Sequence, residues 1–181
     1  MKTGKVILTL ILALSLVSYK GSAQKKETKI STPEFDFSET EKNKFPEPVG
    51  YVNDFEELFT AEQKNELEKS ISDYENETTR EIAIVTVNSI APYDNIADFA
   101  TDLSNKWGVG KAMIDNGLVI VFSKSLRKIR ISTGNGTEKI LTDEICKNIL
   151  DQTIIPEFKK GKYYSGIEKG LAELIDKWDG Y

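Results

Sequence analysis

Two glycine-rich loops carry the residues whose types and spacing suit chemistry. The first runs from Gly108-Val109-Gly110 to Asp115-Asn116-Gly117; the second reads Gly134-Asn135-Gly136-Thr137-Glu138 and leads into Thr142-Asp143. Glycine lets backbone approach a ligand closely. Asp115, Asn116, Glu138 and Asp143 supply oxygen donors, the ligand type taken by hard cations such as Ca²⁺ and Mg²⁺. The same residues also read as plain architecture, since Asp-Asn-Gly is an ordinary turn before a strand and Asp143 an ordinary acidic residue at a helix start. Arg130 suits pairing with phosphate or carboxylate, and equally a solvated place on an edge strand. Asp115 and Arg130 are the candidate catalytic residues.

Composition narrows the chemistry further. The chain contains no histidine, which excludes Ser-His-Asp and Cys-His catalysis and a zinc site of the usual nitrogen and sulfur kind. Cys146, the sole cysteine, lies on an apolar helical face with no imidazole to activate it and reads as a buried structural thiol. Lys111 follows Gly110, but a Walker loop needs a glycine at position 106, where Lys stands, and a strand before it. Tyr163 and Tyr164 read as packing residues.

The elements that must position these loops follow from hydrophobic periodicity. Val49 to Phe55 is an extended entry segment. Thr60 and Gln63 form a capping-box pattern before a helix from about Ala61 to Asn76, with Leu67, Ile71 and Tyr74 on one face. Glu81 to Val87 is a buried β-branched strand. Asn95 caps a second helix that buries Ile96, Phe99, Ala100, Leu103 and Trp107 and stops at Gly108. Leu118 to Phe122 is apolar throughout, as a strand covered on both faces must be, and the intervening helix predicts a parallel pairing with the Glu81 strand. Arg127 to Thr133 alternates, and the joint Ser123 to Leu126 makes the pair a hairpin. A third helix starts at Thr142, buries Ile145, Cys146, Ile149 and Leu150, and ends near Pro156. A last helix spans about Tyr164 to Trp178. Helices before, between and after a small mixed β-sheet describe a three-layer α/β/α sandwich. In such a hairpin the loop before Leu118 and the loop after Thr133 meet at one sheet edge.

The N-terminus has its own signature. Lys2 and Lys5 precede an apolar run from Val6 to Val17, and Gly21-Ser22-Ala23 is a small-residue cleavage site, together a signal peptide over residues 1–23. The run is too short to span a bilayer, which needs about 20 residues. Residues 24–44 are charged and poor in apolar groups and read as a flexible tether, leaving 45–181 as the domain. The expected location is periplasmic or secreted. Losing Lys2, Lys5 and Lys20 takes the formal charge from −5 to −8, which disfavours nucleic acid and favours cationic partners.

From about Val49 to Trp178 the sequence resembles the TPM domain, a family of bacterial envelope, thylakoid lumen and animal membrane proteins. The resemblance rests on Gly50-Tyr51-Val52-Asn53-Asp54, Trp107-Gly108-Val109-Gly110, Asp115-Asn116-Gly117, Arg130-Ile131 leading to Gly134-x-Gly136-x-Glu138, Leu141-Thr142-Asp143, and Ile155-Pro156-x-Phe158-Lys159-x-Gly161-x-Tyr163. It implies an α/β/α sandwich, divalent-cation binding at one sheet edge, acid phosphatase activity as claimed for plastid members, and a role in maintaining membrane protein complexes. Carried over, the ligands of Ca²⁺ or Mg²⁺ are Asp54, Asp115 and Glu138, with Asn116 and Asp143 beside them. Many bacterial members continue into a C-terminal membrane span, whereas this sequence ends at Tyr181, so no transmembrane anchor is expected in the mature chain. Two functions follow as expectations: a noncatalytic module for envelope protein complexes, or a metal-dependent hydrolase of phosphate monoesters.

Overall fold

The structure, a computed structural model, describes residues 45–180. The signal peptide expected at 1–23 and the tether expected at 24–44 lie outside the described residues. Four strands form the sheet, in the order β1 (Val52–Asp54), β2 (Glu81–Thr86), β3 (Gly117–Ser123) and β4 (Lys128–Thr133). β1, β2 and β3 run parallel, and β4 returns antiparallel to β3.

The strand alternation builds two cores. Ile82, Ile84, Leu118, Ile120, Phe122 and Ile131 point to one face. They meet helices α1 (Ala61–Thr78) and α6 (Tyr163–Asp179) through Leu67, Ile71, Leu171 and Leu174. Ala83, Val85, Val119 and Val121 point to the other face, against Phe99, Ala100 and Leu103 of α2 (Ile96–Trp107). β3 is buried at every position, as its unbroken apolar run requires. Helices on both faces of a mixed sheet make the fold the expected α/β/α sandwich.

Local signals set the helix ends. Thr60 accepts from the Gln63 N–H and the Gln63 side chain accepts from the Thr60 N–H, so the capping box is complete. Asn95 accepts from the Asp98 N–H, and Gly108 closes α2 in the left-handed conformation.

Two stretches depart from the sequence-based expectation. Asn135–Glu138 forms one helical turn, α3, where only a loop was expected. Pro156 does not end the third helix: α4 (Asp143–Ile149) passes through a π-helical turn at Leu150–Ile154 into α5 (Ile155–Lys159). The wider turn pairs the Ile155 N–H with the Leu150 carbonyl. It places Pro156 in the first turn of the next segment, where a missing N–H costs little. Among the described residues, no helix is long and apolar enough to cross a membrane.

Candidate functional site

The loop between α2 and β3 is held by bonds that run back to α1 and β2. Glycine at 110, with φ 108°, turns the chain so that its N–H donates to Glu81 Oε2 at 2.7 Å. Lys111 N–H donates to Asn116 Oδ1 at 2.8 Å, and Asn116 Nδ2 donates to the Thr79 carbonyl at 2.8 Å. The Lys111 ammonium sits between Glu81 and Glu75, bonded to both carboxylates, which push its pKa up to about 12. The loop is therefore anchored before it reaches Asp115.

The second loop packs directly on the first. Gly134 N–H donates to the Gly117 carbonyl at 2.9 Å. The Asp115 carbonyl accepts from the N–H groups of Gly136 at 3.1 Å and Thr137 at 3.3 Å. Asn135 Nδ2 donates to Asp115 Oδ2 at 3.3 Å. Contact this close needs glycine: a Cβ at Gly136 would lie 2.0 Å from the Ile114 carbonyl oxygen, and one at Gly134 would lie 2.3 Å from that of Asp115. The two loops thus meet at one sheet edge, as hairpin geometry predicts.

A polar cavity of about 290 Å³ opens beside this junction, on the α2 side of the sheet. Asp115 is the carboxylate in its lining, which also includes Asn135, Ser132, Thr133, Thr101 and Ser104. Asp115 is exposed and left-handed, with φ 50°. Asn135 and the hydroxyls were passed over in the sequence. Asn135 had one legible signal, its place between two glycines; the hydroxyl residues had none, because α2 and β4 meet there only through the fold.

The other expected ligands are placed differently. Glu138 is exposed in α3, the turn that packs on Asp115, but lies outside the cavity lining. Asn116 is buried, with both ends of its amide committed to backbone. Asp143, in the first turn of α4, accepts from Arg130 Nη2 at 3.3 Å. Asp54 caps the other end of the sheet, with one oxygen accepting from Thr86 Oγ1 at 2.6 Å and the other from Phe59 N–H at 2.8 Å. Asp54 pairs in register with Thr86, the last residue of β2, whereas Gly117 pairs with Glu81, the first. Five residue steps along a strand separate these ends by about 17 Å, far beyond the span of one ion whose oxygens lie within about 2.6 Å. The structure brings Asp115 together with the Glu138 turn and leaves Asp54 out.

Among the described residues, no three acidic, cysteine or histidine side chains group around one point. The residues that line the cavity offer one carboxylate with neutral hydroxyl and amide groups. That chemistry fits a hard cation, and an ion held by so few ligand charges would belong with the weak calcium sites, with dissociation constants of about 10⁻⁴ to 10⁻³ M. Cys146 is buried, and burial, followed by the charge of Asp143, pushes its thiol up to about 11.

Comparison with known proteins agrees with this architecture. The solution structure of the N-terminal domain of a protein from P. gingivalis is 30% identical, with a TM-score of 0.66, over 72% of this chain and 82% of that one. The BA42 protein from Bizionia argentinensis has the same fold at 21% identity and a TM-score of 0.61, over 70% of this chain and 86% of that one. The N-terminal domain of the cg2496 protein from Corynebacterium glutamicum shares it at 15% identity and a TM-score of 0.54, over 76% and 84%. No curated protein matches the sequence. The model of the TPM domain matches residues 52–177, the span that holds the whole sheet and both loops, and the chain belongs to the TPM domain family.

Proposed function

We propose that this chain is an exported TPM module that binds a divalent cation, Ca²⁺ or Mg²⁺, at Asp115, and that the ion orders the loop edge for contact with envelope protein complexes without catalysing a reaction. One observation supports the reading: the exposed Asp115 lines a cavity rich in hydroxyl and amide side chains while its own carbonyl bonds to the opposite loop. An ion held there would tie residues 113–117 to residues 134–138. Glu138 is one turn away and would complete the set through water or a side-chain rotation.

The noncatalytic reading is favoured by the partners of the two side chains with chemical potential. Asp115 faces the cavity, while Arg130 is engaged with Asp143 and is absent from the cavity lining. A phosphoryl group bound to an ion at Asp115 would lack that guanidinium as a stabiliser of developing charge. The ion itself would still supply polarisation and an activated water in the hydrolase alternative.

Amide chemical shifts followed during Ca²⁺ and Mg²⁺ titration test the proposal. Saturable shifts at Asp115, Gly136 and Thr137, lost in Asp115→Asn, are expected, with no turnover of p-nitrophenyl phosphate. Metal-dependent turnover that disappears in Asp115→Asn would replace the module with the hydrolase. No shift at these amides would remove the cation.

A further inference from the structure

The opposite edge of the sheet carries a second feature. A groove of about 620 Å³ lies at the β3–β4 joint, and its lining includes Lys124, Arg127, Lys128 and Lys159 but no acidic residue. The chain as a whole has 29 acidic against 24 basic residues, so this local excess of positive charge runs against the molecule's own balance. None of the four cations takes part in the ion pairs found among the described residues. Lys124 is instead held over the ring of Tyr163, its Nζ 5.6 Å from the ring centre. Phe158, tilted against Phe122 and Tyr163 with ring centres 5.0 and 4.9 Å away, gives the groove an apolar wall.

The place suits a ligand. It lies beyond the carboxyl ends of the parallel strands, the edge where open α/β sheets commonly bind, and its volume falls in the usual range for binding sites, about 300–1,000 Å³. Its concave form suits a chain or a molecule better than a flat bilayer. β4 is the outermost strand, and Lys128 and Ile129 at its start line the groove. An extended backbone laid there would meet an open strand edge as well as the cations.

We propose that this groove binds an extended acidic segment of a partner protein, with its carboxylates on Lys124, Arg127, Lys128 and Lys159 and an aromatic or branched apolar side chain against Phe158 and Tyr163. Charge-assisted bonds supply the selectivity for acid over base, and the aromatic wall supplies the apolar contact. The site is separate from the Asp115 edge and does not depend on a cation there.

Fluorescence anisotropy with a short fluorescein-labelled peptide alternating Glu and Phe tests this on the full chain. Saturable binding is expected, screened by salt, and at least about tenfold tighter than to a peptide alternating Lys and Phe. The double variant Lys128→Glu with Lys159→Glu changes two exposed, ion-pair-free side chains, so its melting temperature should stay close to that of the native chain. Its affinity for the acidic peptide should fall about tenfold or more, while Asp115→Asn should bind the peptide as the native chain does. Absence of binding, equal affinity for both peptides, or undiminished affinity in the double variant would overturn the proposal. So would binding to vesicles of anionic phospholipid with none to the acidic peptide, which would make the groove a membrane contact.

Discussion

Asn116 bridges the first loop to the α1–β2 turn through both ends of its amide, accepting from Lys111 and donating to Thr79. Asn116→Ala leaves the part-buried Lys111 N–H and Thr79 carbonyl without their protein partner, which costs about 1 kcal/mol, measured as a shift in the urea midpoint. Asn116→Asp keeps the acceptor for Lys111 but sets a buried carboxylate oxygen against the Thr79 carbonyl, so it should be destabilised at least as much as Asn116→Ala and should not strengthen a Ca²⁺ response. Spacing marks Asn116 as an oxygen donor beside Asp115, but its bond to a carbonyl 37 positions away is set by the packing of α1 against the sheet, which no local pattern reveals. Cys146 was legible, because an apolar helical face leaves a thiol little else to do. Its folded pKa is raised from 9.0 to about 11 by burial. The protonated thiol is thus favoured in the folded state, and its contribution to stability is complete below pH 9 and lost as pH rises toward 11. A thiol-reactive chromophore at pH 8 should label the native protein far more slowly than the urea-unfolded chain; equal rates would mean that the thiol is not enclosed.

At the scale of elements, the close approach of two loops is the feature on which the site depends. Gly136→Ala would drive a methyl group into the Ile114 carbonyl, with 2.0 Å between them before any shift. The α3 turn must then move away from residues 114–115. A stability loss of about 1–3 kcal/mol is expected from such overpacking, together with a weaker calcium response than that of the native chain at equal protein concentration. An unchanged response would show that the second loop is not part of the site. The strands, α1, α2 and α6 were legible because each combines a clear hydrophobic period with an end signal, such as the Thr60–Gln63 box or Gly108. The stretch from Leu150 to Lys159 was not. Proline normally stops a helix, but here a single widened turn moves it into a helix start, a solution that depends on Ile154 packing into the core. Asp54 was misplaced for a similar reason. Its motif is local, while its position at the far edge follows from β1 running parallel to β2.

Across the whole molecule, the sheet separates two polar edges with different chemistry. One edge joins the glycine loops around Asp115, and the other gathers lysine and arginine from the β3–β4 joint and the end of α5. The first was legible in outline because both loops flank a recognisable hairpin. The second was not, since Lys159 joins Lys124 and Lys128 only through the tertiary fold. The sandwich itself was legible, because alternating residues of β2 and β3 fill two separate cores. The account turns on the cation at Asp115, and thermal unfolding with and without 10 mM CaCl₂ tests it most directly. For a dissociation constant of about 1 mM, binding adds about 1.4 kcal/mol to the native state, which raises Tm by about 3–6 °C at this domain size. The native chain should show that rise and Asp115→Asn should not. A native Tm that calcium leaves unmoved, or an equal rise in the variant, would contradict the account.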